Sequence, residues 1–337
     1  DKNSAQRIYW EMYYMSDKMK VLITGGTGFV GSHLCDELLK DGHEVTLLAR
    51  NDDKRQNILQ NLDKIRLEYV DVTNFAQLEK SIENNNPEII FHLAGETSHK
   101  KSFDNPLYDV EVNSKSTLCI LEKIRKINPK CRFILGSTFI VVGRPTQLPV
   151  TEETACNPTT IYGINRLSSE HFSKIYHTVY DLDTVVFRIT NSFGPREQSE
   201  TPIKNALNFL IYRAYKGEEV TIYNKGQFFR DVIYISDVVS SLKTLMYKGK
   251  SGNLYWISSY KKTWFYEIGN WLEELTGAKI KYIDPPQYTE KVDVGNFLVD
   301  NTKLSSLGWK VDIPVRDGIE KTIQFFKKQK SNLSHSN

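Results

Sequence analysis

KVLITGGTGFVG, residues 20–31, joins a short β-branched run to an amphipathic segment through spaced glycines. Lys20–Thr24 reads as a buried strand, and Phe29–Lys40 carries Phe29, Leu34, Leu38 and Leu39 at helical spacing. Gly25, Gly28 and Gly31 let the backbone turn tightly and approach a pyrophosphate, which the N–H groups and positive dipole of the helix start attract. Phe29 and Val30 stand at the same helix mouth. Alone, such glycines describe only a tight turn; between a strand and a helix they are a dinucleotide-binding signature.

The same rhythm continues downstream. Val45–Ala49, Arg66–Val70, Glu88–Leu93, Phe133–Gly136 and Thr184–Ile189 read as strands. Between them, Asp53–Leu62, Phe75–Glu83, Tyr108–Ile127 and Tyr162–Tyr180 read as helices. Short apolar strands alternating with amphipathic helices predict an α/β fold, a Rossmann-type doubly wound parallel sheet covered on both faces. Beyond Asn191 the pattern becomes mixed. Asn205–Lys216, Trp264–Leu275 and Ile319–Lys328 are expected helices and Val220–Tyr223 a strand, which makes a smaller mixed α/β C-terminal substrate lobe. The expected division is a cofactor domain over 19–190 and a substrate lobe over 191–330, interleaved through part of 229–250, with a tail at 331–337. Residues 1–18 lack clean periodicity and are read as an arm or expression scar before a native start at Met19.

Composition narrows the class of function. The chain has 337 residues, 40% hydrophobic and 25% charged, with a net charge of +3 and interspersed signs. That is no nucleic-acid footprint, and no apolar run reaches the roughly 20 residues that span a bilayer. Cys35, Cys119, Cys131 and Cys156 have neither zinc nor disulfide spacing, so free thiols, no metal site and a cytoplasmic location are expected.

At the end of the second strand, where an acid usually meets the adenosine ribose, stand Ala49 and Arg50. A guanidinium pairs well with a 2′-phosphate, so NADP(H) is favoured, with NAD(H) as the alternative. Tyr162 and Arg166 lie four positions apart on one helix face, where a cation favours the phenolate. Thr138, closing a strand, is placed to donate to the same substrate oxygen. Taken without context, a tyrosine at a helix start is ordinary packing.

Together these pieces resemble the extended short-chain dehydrogenase/reductase family, in its nucleotide-sugar epimerase, dehydratase and reductase branch. The resemblance runs from about Met19 to Lys328. It rests on TGGTGFVG at 24–31, DVT at 71–73, HLAG at 92–95, Asn113, Ser137-Thr138, Tyr162, the run Arg188 to Arg196, and the run Gly226 to Asp237. It implies that Asp71 and Val72 line the adenine pocket, and that Leu93, Ala94 and Gly95 run beneath the cofactor with Asn113 nearby. Thr138 and Tyr162 would be the catalytic pair, with Arg166 beside them. Asn191 and Arg230 would hold the substrate diphosphate, with Asp293 on the same side. A homodimer through the long helices is the family expectation.

Three departures stand out. The family has Lys at the position of Arg166, and the exchange is not neutral at a fitted site. Phe139 and Ile140 replace the Asp-Glu pair of 4,6-dehydratases, which speaks against dehydration. Glu290 stands where many members keep a second phosphate-gripping arginine, with Lys291 adjoining. The expected functions, in order, are NADP(H)-dependent reduction of a nucleotide-bound keto-deoxysugar, 4-epimerisation of a nucleotide sugar, and a non-catalytic binding role that Arg166 alone suggests.

Overall fold

The computed structural model describes residues 18–197, 199–201, 205–285 and 293–334. β1 (Lys20–Thr24) feeds α1 (Phe29–Lys40), then β2 (Glu44–Ala49), β3 (Arg66–Tyr69), α2 (Phe75–Asn85) and β4 (Ile89–His92) follow. Next come α3 (His99–Asp104), α4 (Pro106–Val110), α5 (Ser116–Ile127), β5 (Arg132–Thr138), α6 (Ile161–Tyr180) and β6 (Thr184–Ile189). A single sheet of seven strands runs β3-β2-β1-β4-β5-β6 and ends on a later strand, Asn253–Ile257. All of its pairings are parallel.

Adjacent residues on a strand point to opposite faces, and the core divides accordingly. Val21, Ile23, Leu47 and Phe91 pack with Leu34 and Leu38 of α1 on one side. Leu22, Leu48, Ile90 and Phe133 pack with Leu78 of α2 and Leu121 of α5 on the other. Burial on both faces explains the continuous apolar runs of the strands.

Four expectations are corrected. Asp53–Leu62 is no helix: two single 3₁₀ turns, Arg55–Asn57 and Leu59–Asn61, take its place, because Ile58 is its one fully buried apolar side chain while Leu59 stays exposed. The long helix from Tyr108 starts at Pro106 and contains a π turn at Glu111–Lys115, inserted between α4 and α5. The last helix spans Val315–Ser334, well past Lys328 and into the presumed tail. The return to the first domain also reaches beyond 250, since Asn253–Ile257 completes the sheet.

That return is made in stages. β7 (Asn191–Phe193) leaves the sheet, and α7 (Ala206–Tyr215), β8 (Val220–Tyr223) and β9 (Phe229–Arg230) begin the second lobe. β10 (Val232–Tyr234) pairs with β7, and α8 (Ile235–Lys248) packs beside α1 before β11 (Asn253–Ile257) joins β6. β12 (Thr263–Trp264), α9 (Phe265–Thr276) and β13 (Ile280–Ile283) finish the lobe, with β13 parallel to β8. Among the described residues no helix is long and apolar enough to cross a membrane.

Candidate active site

Strand order reverses between β1 and β4, so their following loops diverge and leave a crevice at the carboxyl edge of the sheet. A cleft of about 1090 Å³ lies there, bounded by both lobes. At one end Gly25, Gly28, Phe29, Val30 and Gly31 line it. Gly25 has φ +68°, and a β-carbon on Gly31 would come within 2.5 Å of the Gly25 carbonyl. The loop therefore packs against its own helix only with glycine at both positions. No side chain caps the start of α1, which leaves that positive helix end for an anionic ligand.

Beside the loop, Arg50, Asp71 and Val72 also line the cleft. Asp71 accepts hydrogen bonds from the Thr73 amide (2.9 Å) and hydroxyl (2.8 Å), which orients its carboxylate. Arg50 donates to the Tyr108 hydroxyl at 3.1 Å and remains exposed.

The centre holds Leu93, Ala94, Gly95, Thr138, Tyr162 and Arg166. Thr138 ends β5, and its Oγ1 accepts the Ile140 amide at 3.3 Å. Its hydroxyl hydrogen is thus free for a ligand oxygen. Tyr162, in the first turn of α6, is only 5% exposed, and its ring lies 6.0 Å from that of His99. Arg166, one turn later, is buried; Nη2 reaches the Ala94 carbonyl at 3.4 Å, while Nε and Nη1 have no partner. Buried polar groups are normally paired, and a guanidinium strongly so. These orphan donors, beside a glycine loop of pyrophosphate-binding form, fit a dinucleotide whose ribose hydroxyls would complete them.

Asn113 lies fully buried in the π turn, donates to the Glu96 carbonyl at 3.0 Å, and stands beside Gly95. That bond ties the π turn to the segment after β4, a π turn being a point where a helix redirects its side chains.

At the far end Asn191, Arg230 and Asp293 line the cleft. Arg230 Nη2 donates to Asp293 Oδ1 at 2.6 Å, and its guanidinium lies 5.2 Å from the centre of the Phe228 ring. Asn191 Nδ2 donates to the Asp231 carbonyl at 3.2 Å. The Asp231 carboxylate receives the amides of Ser259, Tyr260 and Val299 and the Ser259 hydroxyl. Burial pushes its carboxyl up to about 7, against the opposing pull of those four bonds. Glu290 and Lys291 lie outside the described residues.

Sequence reading missed several participants. His99 and Glu96 line the cleft from the segment after β4. Glu170 sits deeper, accepting from Ser137 Oγ and from Arg188 Nε (2.9 Å) and Nη2 (2.7 Å). One signal was available: Tyr162, Arg166 and Glu170 recur at four-residue steps, which sets a second charged residue on the inward face of α6. Its partner on β6 had no such signal. Among the described residues no group of three or more His, Cys, Asp or Glu could hold a metal ion.

The family model described as GDP-mannose 4,6-dehydratase matches residues 22–322. The chain belongs to the extended short-chain dehydrogenase/reductases. Within this family, a putative UDP-glucose 4-epimerase from Methanocaldococcus jannaschii is 28% identical over 310 residues, 91% of this chain and 98% of its own length. The structure of a UDP-glucose 4-epimerase with UDP-glucose from Thermotoga maritima has 28% identity and a TM-score of 0.85, covering 93% of this chain and all of that one (100%). A Thermus thermophilus UDP-glucose 4-epimerase complexed with NAD has 25% identity and a TM-score of 0.82, over 92% of this chain and 99% of its own. The chain is thus a nucleotide-sugar enzyme of the epimerase and dehydratase group within the extended short-chain dehydrogenase/reductases.

Proposed function

We propose that this chain is a nicotinamide-dependent nucleotide-sugar 4-epimerase in which Tyr162 carries the proton. The observation behind this choice is the wall beyond Thr138. Phe139 and Ile140 line it, so it offers no carboxylate to drive loss of water. A centre that moves one proton on and off one oxygen suits a redox-neutral inversion. The full-length likeness to epimerases raises this reading above the reductase.

Each residue then has a task. Arg230 and Asn191 would hold the diphosphate, a guanidinium being well shaped for phosphate oxygens. Thr138 would donate its hydroxyl hydrogen to the sugar oxygen, and the Tyr162 oxygen would take the proton from that oxygen and later return it. The bound nicotinamide supplies a hydride acceptor and donor. Between removal and return the keto sugar must present its other face, and the apolar side chains of Phe139, Ile140 and Val294 set no directional hydrogen bonds against that turn.

A second reading keeps the reductase, because Ala49 replaces an acid and Arg50 reaches the cleft, both of which favour NADP(H) over NAD(H). One experiment separates the two. Carried-over cofactor is released and identified by mass spectrometry, and the protein is then titrated with NADP(H) and NAD(H) by calorimetry. Turnover is followed with UDP-glucose as the first probe and a panel of other nucleotide sugars. The expected result is formation of the 4-epimer with no net change in nicotinamide absorbance. Stoichiometric oxidation of NADPH by a keto-sugar nucleotide, without epimer, would replace this reading by the reductase.

The homodimer belongs to the same proposal. Leu107 is 79% and Val179 59% exposed, and Leu118, Ile164 and Ile175 are exposed on the same helices. Exposed apolar side chains on the two long helices are what the proposed dimer would cover. Size-exclusion chromatography with light scattering is expected to give a dimer that Ile175→Glu with Val179→Glu converts to monomer. A monomeric wild type would contradict it.

A further inference from the structure

Gly95 follows β4 on the floor of the cleft, with backbone outside the left-handed region, so the main chain itself does not demand glycine. A methyl group there would meet side chains. Asn113 Oδ1 would lie at 2.7 Å, Arg166 Nη2 at 2.8 Å and Arg166 Cζ at 3.2 Å. Neither neighbour is loose: both are buried, Asn113 is bonded to the Glu96 carbonyl, and Arg166 reaches the Ala94 carbonyl. The guanidinium fills the space that a β-carbon would take.

We propose that Gly95 is the positioning residue that admits arginine at 166, and that a methyl group at 95 and a guanidinium at 166 exclude one another. The inference rests on the reading of this cleft as a dinucleotide site. Lysine ends in one nitrogen instead of a fork and needs less of that volume. In Gly95→Ala the methyl group presses on both neighbours; Asn113 is anchored through Nδ2 to the Glu96 carbonyl, and the group left to yield is a buried cation whose Nε and Nη1 have no protein partner, so few fold contacts are lost. What moves is the set of donors that face the ligand. The cost therefore falls on dinucleotide binding more than on stability, and Arg166→Lys relieves part of it. Asn113 remains as an obstacle in the double variant, so relief is incomplete.

Calorimetric titrations with NADPH and with NAD, beside thermal melts, test the pair in wild type, Gly95→Ala, Arg166→Lys and the double variant. Gly95→Ala is expected to weaken dinucleotide binding by about tenfold or more, with a melting temperature close to wild type. The double variant is expected to bind more tightly than Gly95→Ala alone. Should Gly95→Ala melt far below wild type, recovery of melting temperature in the double variant takes the place of affinity, and no recovery overturns the pairing. Wild-type affinity in Gly95→Ala, or strictly multiplicative losses in the double variant, also overturns it. A wild type that binds neither dinucleotide refutes the reading of the cleft, and the proposal with it. Intact wild-type binding with independent variants refutes the pairing alone.

Discussion

Tyr162→Phe is expected to lower turnover by about 10³-fold while leaving dinucleotide affinity and melting temperature close to wild type. The magnitude is that of one positioned acid–base group. The selectivity follows from the site. Among the described residues the Tyr162 hydroxyl makes no hydrogen bond, so its removal strands no buried partner, and the ring contact with His99 survives the change. Steady-state rates with the turned-over nucleotide sugar, paired with a calorimetric titration of the cofactor, check both halves. Rates within tenfold of wild type would show that another group carries the proton. The same variant addresses the non-catalytic alternative, because wild-type turnover that collapses in Tyr162→Phe leaves no room for it.

The second large effect is on stability. Glu170→Ala is expected to cost about 3–5 kcal/mol, the usual penalty for breaking a buried ion pair from one side. Arg188 is 4% exposed, and its guanidinium donates from Nε and Nη2 to the Glu170 carboxylate, beside a contact between Nη2 and Cys156 Sγ and its place 5.3 Å from the centre of the Trp256 ring. Nη1 already lacks a partner, so loss of the carboxylate leaves an uncompensated cation in the core. Chemical denaturation read by fluorescence gives the number, and a loss below about 1 kcal/mol would show that solvent reaches Arg188. Because Glu170 also receives the Ser137 hydroxyl, next to Thr138, the pair fixes the end of β5 against α6. Tyr162 and Thr138 are thereby held relative to one another from behind.

Reading the sequence succeeded where structure is local. Lys20–Thr24, Phe29–Lys40, Thr184–Ile189 and Val220–Tyr223 have the bounds their apolar spacing predicts. It failed where a segment takes its form from neighbours. Asn253–Ile257 carries no alternation, since a strand in a parallel sheet is covered on both faces, and only its pairing with β6 makes it a strand. The segment 53–62 has helix-forming residues but a single fully buried apolar side chain, too little to hold a helix against the sheet. The π turn at Glu111–Lys115 costs one residue of register, which an apolar pattern does not record.

The cleft divides in the same way. The glycine loop, the four-residue step from Tyr162 to Arg166 and the missing acid at Ala49 are properties of short stretches, and helix and strand geometry alone gives them meaning. Whether Arg166 could be housed was a different matter. It depends on a contact with Ala94, 72 positions away, and on the absence of a β-carbon at Gly95. The pairing of Glu170 with Arg188 and the bond from Asn113 to the Glu96 carbonyl likewise follow from which strands lie side by side. Such contacts join segments through the order of the sheet, and sheet order is set by the packing of the whole chain.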